Sequence, residues 1–347
     1  MYGYSGTGAL NMITATLGRT GLKVNKDGFG ALPVQRVEKQ AAVKLLQKAL
    51  DGGINFFDSA RGYSDSEEKI GAAFLGRRDK FILASKTGSK DVETFWQHLE
   101  TSLSTLKTDH IDVYQFHNPE FVPRPGDGSG LYEAMLKAKE QGKIRFIGIS
   151  NHRLPLAKEA VESGLYDTLQ FPFCYLSDNQ EIALTKLCLE KNVGFLAMKA
   201  LSGGLLTDIG ACHGWMAQFS NVVPIWGIQR ESELDALFSV MNRGAELTAK
   251  EKNRIEADRK ELSGTFCRGC GYCMPCPAGI IIHTCARMSL LLRRAPSARF
   301  LSEEWQKEMA KIKDCKHCGH CTSHCPYGLD TPALLAKNYE DYQKMPA

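Results

Sequence analysis

The sequence has no long apolar run. None approaches the roughly 18 residues that a membrane-crossing helix needs, so no transmembrane helix is expected. The N-terminus, MYGYSGTGALNMITATLG, lacks the basic start and apolar core of an export signal, which leaves the cytoplasm as the expected location. Charge of one sign is also scarce. A formal net charge of +4 over 347 residues gives no reason to expect nucleic acid or a membrane surface as partner. With 43% apolar and 24% charged residues, the composition is that of an ordinary soluble protein. The length exceeds what one small domain needs and suggests two. Cysteine alone is abundant: there are twelve, eight of them in two dense groups, 267–276 and 315–325. Secreted disulfide domains reach this density. In a chain whose N-terminus does not read as an export signal, reduced thiols that ligate a metal or a cluster fit better.

Residues 16–25, TLGRTGLKVN, place a Thr-Gly turn between two short extended pieces, and FGALPV (29–34) reads as a first core strand. Helices are then expected at 38–51, 66–76, 91–106, 129–141, 153–163, 179–191, 213–220 and 231–242. They alternate with strands at 54–57, 81–85, 111–116, 144–149, 168–171, 194–198 and 222–226. The strands are apolar without alternation, as when both faces are buried. Eight such repeats predict an α/β fold, a (β/α)8 TIM barrel over residues 1–246. About two dozen residues separate Met198 from Val222, so one barrel loop is expected to be trimmed. From residue 247 the character changes. Thr248 and Glu251 fit a capping box opening a charged helix that Gly264 would close. Residues 278–295 and 302–313 read as helical, and a last helix is expected to run to about Gln343 with Thr331 as cap and Pro332 at its first position. Residues 247–347 therefore read as a helical domain with cysteines in its turns.

The stretch INFFDSARGYSDSEEKIG (54–71) runs from an apolar strand into Asp58 and then a loop with Tyr63. Lys86 ends the next apolar run, FILASK, and His117 ends IDVYQFH. Four polar groups at or just past strand ends would converge on one face of a parallel barrel. A hydride arriving at a carbonyl carbon builds charge on oxygen, which then needs a proton. Tyr63 has the reach to give it. A cationic Lys86 is expected to lower the phenol's pKa, Asp58 to hold the lysine, and a neutral His117 to orient the carbonyl. Taken singly, these are a structural ion pair and a core histidine; four in order at strand ends favour chemistry.

On these residues the chain resembles the aldo-keto reductases over roughly residues 17–240. Asp58, Tyr63, Lys86 and His117 match that family's tetrad in order and context. The resemblance implies an oxidoreductase that interconverts a small-molecule carbonyl and an alcohol with NAD(P)(H), and a hairpin at 16–25 plugging the barrel bottom. It implies that Ser150, Asn151 and Gln170 hydrogen-bond the nicotinamide carboxamide; on their own, Asn151 reads as a helix cap and Gln170 as a satisfied sheet residue. Two departures stand out. Where the family stacks an aromatic ring on nicotinamide there are Met198, which could cover the ring's face, and Lys199, which could meet phosphate or substrate. In PIWGIQRESEL, Gly227, Ile228, Gln229 and Arg230 align with the adenosine-phosphate segment, and Glu233 falls where a neutral or basic side chain is usual. A carboxylate there would repel a 2′-phosphate, which points to NADH over NADPH or to a weakened dinucleotide site; the alternative is a solvated helix face.

The cysteine groups are CRGCGYCMPCP (Cys267, Cys270, Cys273, Cys276) and CKHCGHCTSHCP (Cys315, Cys318, Cys321, Cys325). The second is a full C-x2-C-x2-C-x3-C-P run, the bacterial ferredoxin signature, in which the last cysteine ligates the other cluster. With this run the chain resembles the branch of the aldo-keto reductases with a C-terminal ferredoxin-like extension. Two [4Fe–4S] clusters are expected, one on Cys267, Cys270, Cys273 and Cys325, the other on Cys315, Cys318, Cys321 and Cys276. The first group is one residue short before Cys276, which leaves the crossing open. Zinc sites use pairs of cysteines rather than runs of four with a trailing proline. His283, His317, His320 and His324 read as surface or outer groups, and Cys174, Cys188, Cys212 and Cys285 as small apolar residues. Nicotinamide moves two electrons and a cubane one, so a flavin normally stands between them; barrels can bind flavin mononucleotide without an obvious motif. Three readings follow. The first is a carbonyl reductase with structural or redox-sensing clusters. In the second, the clusters relay electrons between a redox partner protein and a substrate or flavin in the barrel. In the third, the barrel is a scaffold for an electron-transfer module. An intact tetrad favours an enzyme and ranks the first above the second.

Overall fold

The computed structural model describes residues 13–262, 266–294 and 298–344. The chain divides into two compact units. One comprises the residues up to Ala200 together with His213–Leu247; the other comprises Leu201–Cys212 and the chain from Thr248 onward. The short segment Leu201–Cys212, which the sequence assigns to the barrel, thus groups with the cysteine-bearing unit.

The first unit opens with a hairpin of β1 (Thr14–Thr16) and β2 (Lys23–Asn25), paired antiparallel. A closed parallel barrel follows: β3 (Gly28–Gly30), α1 (Lys39–Asp51), β4 (Phe56–Asp58), α2 (Ser66–Ala73), β5 (Ile82–Thr87), α3 (Val92–Leu106), β6 (Ile111–His117) and α4 (Leu131–Glu140). It continues with β7 (Ile144–Ser150), α5 (Leu154–Glu162), β8 (Thr168–Pro172), α6 (Asn179–Glu190), β9 (Gly194–Met198), α7 (Ile209–Ala217, of which the residues from His213 belong to this unit), β10 (Val222–Gly227) and α8 (Glu231–Phe238). Strands β3 to β10 close in chain order, with β10 hydrogen-bonded to both β9 and β3.

The hairpin caps the barrel from below. Ala15, Leu17, Leu22 and Val24 join Phe56, Ala84, Val113, Leu196, Val223 and Ile225 in one buried apolar cluster. Burying one such aliphatic side chain contributes roughly 1.5–3 kcal/mol. The hairpin turn demands glycine at 18, where φ is +53° and a Cβ would stand 2.2 Å from the Gly194 amide at the start of β9. The FGALPV strand ends earlier than expected, at Gly30, and Pro33–Arg36 forms a 3-10 turn. Proline has no N–H for a ladder, and its fixed φ suits the first position of such a turn. Helix α7 starts at Ile209 rather than 213, because the Asp208 carboxylate accepts the Ala211 amide at 2.9 Å and caps it there.

In the second unit α9 (Ala249–Glu261) starts at the Thr248–Glu251 capping box. Gly264, expected to close it, lies outside the described residues. The helical stretch expected at 278–295 is two helices, α10 (Ile282–Cys285) and α11 (Met288–Arg294). They are followed by α12 (Glu303–Ala310), α13 (His320–Ser323) and α14 (Thr331–Gln343). The break between α10 and α11 has a cause on α14. Buried Asn338 accepts the Ser289 amide at 2.8 Å and donates to the Ala286 carbonyl at 3.1 Å, satisfying the groups the break leaves over. Asp330, not Thr331, caps α14, taking the Ala333 amide at 3.1 Å. The Arg294 guanidinium is buried against Asp258, Glu261 and the Leu205 carbonyl, tying Leu201–Cys212 into this unit. Cys174, Cys188, Cys212 and Cys285 are buried, as small apolar residues should be. No helix among the described residues is long and apolar enough to cross a membrane.

Candidate active site and thiol cavities

Asp58 is the last residue of β4, Lys86 the penultimate residue of β5, and His117 the last residue of β6. Parallel register carries these adjacent strand ends to the same mouth of the barrel, with Asp58 opposite Ala84 and Lys86 opposite Gln115. Lys86 and Asp58 are both buried, and Lys86 Nζ lies 2.7 Å from Asp58 Oδ2. The ammonium also donates to the Ser59 carbonyl at 2.6 Å. Gln115 and Gln170 donate their side-chain amides to the two oxygens of Asp58, at 3.3 and 3.4 Å. Gly148 on β7 makes room for this, since a Cβ there would stand 2.7 Å from Gln115 Cγ.

Tyr63 arrives on the loop after β4, which hydrogen bonds Ser59 N to Ala84 O and Arg61 N to Lys86 O lay along β5. Behind it, buried Glu67 pairs with Arg61 at 2.5 Å and accepts the Ser85 hydroxyl at 2.5 Å. Lys86 Nζ sits 5.1 Å from the centroid of the Tyr63 ring, and the Tyr63 and His117 rings meet edge to face at 5.7 Å. The structure therefore gathers all four residues. Tyr63 and His117 are half-buried.

The electrostatics differ from the expectation at one point. Burial pushes the Tyr63 phenol above its ordinary value and the Asp58 carboxylate pushes it the same way, so its pKa is raised rather than lowered. The Lys86 charge is spent on a paired carboxylate, and desolvation of the phenolate dominates. Burial likewise draws Lys86 down and Asp58 up, with their pairing opposing both shifts. Burial, seconded by the Lys86 charge, lowers His117 to about 3, so this imidazole is neutral at neutral pH. Buried His152, which sequence reasoning passed over, is held well below its ordinary value by burial and then by Lys199 and His117.

The expected nucleotide residues divide into two sorts. Gln170 Oε1 is a buried acceptor with no hydrogen-bond partner, and so is Gln115 Oε1. Ser150 and Asn151 use their side chains on their own chain. The Ser150 hydroxyl donates to Phe116 O and accepts from Asn118 N. Asn151 donates to Pro119 O and accepts from Arg153 N. Met198 packs half-buried against the barrel core, and Lys199 follows it with φ +61°. Gly227 is exposed at the end of β10. Glu233 accepts from the Gln229 and Arg230 amides at 2.9 and 3.2 Å and is paired with the Arg230 guanidinium at 2.5 Å. It is a capping group at the start of α8, not a merely solvated one.

The cysteine groups line two small cavities in the second unit. One is walled by Cys267, Cys270, Cys273 and Cys325, the other by Cys276, Cys315, Cys318 and Cys321, and buried Ile282 lines both. The remaining walls are largely apolar, with Leu334 in the first and Ile280 in the second. Among the described residues no three histidine, cysteine, aspartate or glutamate side chains converge on one ion-sized point. Thiols ringed about a cavity suit a multi-atom cluster; a single tetrahedral zinc needs its sulfurs about 2.3 Å from one centre.

Residues 26–213 match the Aldo/keto reductase family, and residues 266–330 match a 4Fe-4S dicluster domain. An L-galactose dehydrogenase of Arabidopsis thaliana is 32% identical over 214 residues, 56% of this chain and 67% of that protein. An aldo-keto reductase of Bacillus subtilis is 29% identical over 208 residues, 54% of this chain and 62% of its own length. The chain thus spans about two thirds of the length of such relatives. In fold it is similar to an aldo-keto reductase from Bacillus halodurans solved in its holo form, at TM-score 0.62 and 23% identity over 72% of this chain and 96% of that one. The chain belongs to the aldo/keto reductase family of oxidoreductases and carries a 4Fe-4S dicluster domain in its C-terminal region.

Proposed function

We propose that the barrel interconverts a small carbonyl compound and its alcohol at the Asp58, Tyr63, Lys86 and His117 cluster. The observation that carries this reading is the buried Lys86–Asp58 pair beside the Tyr63 ring. A nicotinamide, when bound, supplies or accepts the hydride. Tyr63 holds the proton destined for the carbonyl oxygen, and burial keeps its phenol protonated at rest. When that proton moves, the growing phenolate charge faces Lys86 in surroundings where screening is weak. Asp58, held by two glutamine amides, keeps the ammonium in place. His117, being neutral, can orient the carbonyl oxygen without adding a second charge.

The residues fit a nicotinamide cofactor at one end better than at the other. Gln170 Oε1 lacks the donor that a carboxamide N–H would give it. Ser150 and Asn151 already have partners and would share them. Met198 would cover the ring and Lys199 would meet phosphate or substrate. At the adenosine end Gly227 is exposed and the Gln229 amide is bonded to Glu233, and Arg230 is paired with that same carboxylate. That carboxylate favours NADH over NADPH. For the clusters, the four thiols of each cavity are the ligands, in the crossed arrangement; each cluster supplies a one-electron store.

Anaerobic titration of the full chain with NADH and NADPH over a panel of aldehydes and ketones tests this. Carbonyl-dependent oxidation of the nicotinamide is expected, faster with NADH at limiting cofactor. Cofactor oxidation independent of any carbonyl, or appearing only after flavin is added, would contradict it.

A further inference from the structure

The two thiol cavities are not equivalent. Cys318 is exposed and is alone among the eight cavity-lining cysteines in being so; Cys267, Cys270, Cys273 and Cys325 are all buried or half-buried. The wall of the second cavity carries Lys316, His317 and His320 and no carboxylate. Of these, Lys316 and His317 are exposed. The segment 311–324 has three lysines against one carboxylate, Asp314. Lys311 is committed to Glu308 at 2.6 Å, whereas exposed Lys313 only overlies the Tyr339 ring, at 5.5 Å. On the wall of the first cavity Arg268 is folded across the Phe266 and Tyr327 rings, and Arg287 acts on Cys267.

We propose that the face around Cys318 is an electron port, docking a small acidic iron–sulfur carrier protein through Lys316 and Lys313. One electron leaves the carrier's reduced centre and one enters the oxidised cluster held by Cys276, Cys315, Cys318 and Cys321; no bond is made or broken. An exposed ligand shortens the path to a docked centre. A local surplus of positive charge steers an acidic partner to it and raises the encounter rate, an effect that salt screens. The inference rests on the two-cluster ligand assignment above and not on the carbonyl chemistry.

The test is stopped-flow reduction of the anaerobically prepared full chain by reduced plant-type [2Fe–2S] ferredoxin, with iron and sulfide counted first. The wild-type second-order rate should fall as salt rises. Lys316→Glu should slow it about tenfold at low salt. Lys250→Glu, the same charge change at an exposed position on α9, should leave it unaltered. A zwitterionic viologen should reduce all three proteins alike. Lys313→Glu, farther from the thiols, repeats the test should Lys316→Glu lose iron. Equal slowing by Lys316→Glu and Lys250→Glu, or a wild-type rate indifferent to salt, overturns the port. An iron count well below about eight per chain overturns the ligand assignment instead.

Discussion

In the barrel, Asp58 receives Lys86, Gln115 and Gln170, and the loop bearing Tyr63 is pinned to β5 by its backbone. In the second unit the thiols face cavities, and Cys267 Sγ accepts the Gly269 amide at 3.4 Å and lies 3.9 Å from the His283 carbonyl. The barrel site is thus assembled by the chain's own hydrogen bonds and core. The thiol site is assembled around something the chain must acquire. Order in the first unit comes from burial, and order in the second depends on ligation as well, because α10 and α13 are single turns that isolated chain does not hold.

Removing iron should therefore have the largest and most one-sided effect. Structural metal in small domains is worth on the order of 10 kcal/mol. Anaerobic chelation is expected to open residues 266–330 to protease while the barrel's melting transition persists. Cys318→Ala should halve the iron. A second unit that stays protease-resistant without iron would erase the contrast.

Breaking the barrel's buried pair comes next. Lys86→Met leaves the Asp58 carboxylate buried without its counter-charge, at a cost of about 3–5 kcal/mol. Denaturant unfolding should register it in the barrel transition, with the iron content unchanged. A loss near zero would mean that the pair is not buried as described.

The smallest effect is that of pH. His117 takes up its proton near 6.5 when unfolded and only near about 3 when folded. Between those values the unfolded state binds more protons, so stability rises with pH there. The contribution is complete above pH 6.5 and is lost as pH falls toward 3; buried His152 acts in the same direction. Partial exposure of His117 moderates its share. The barrel's melting temperature should fall on acidification through this window, and less steeply in His117→Asn. An identical slope in the variant would show that His117 ionises freely in the folded barrel.

Much of this was legible because polar residues ending apolar runs are conspicuous. Asp58, Lys86 and His117 each close such a run, and parallel register does the rest. Gln115 was hidden inside one of those runs, although its spacing of two from His117 puts both on one strand face. The split between α10 and α11 depends on Asn338, about fifty residues away, which no local pattern reveals. The sign of the Tyr63 shift was misjudged because burial, its main cause, is absent from a sequence. Asp330 and Thr331 are both good caps, and only geometry chooses between them. Glu233 stands three residues after Arg230, the spacing of a capping box, but an arginine at the cap position disguises it.

The central claim is that Tyr63 gives the proton in a site the chain has already built. Tyr63→Phe removes one oxygen and leaves the ring packed on Lys86 and His117. NADH-dependent carbonyl reduction should fall by roughly 10²–10⁴-fold, with the barrel's melting and the iron count unaltered. Undiminished reduction by that variant would contradict the claim.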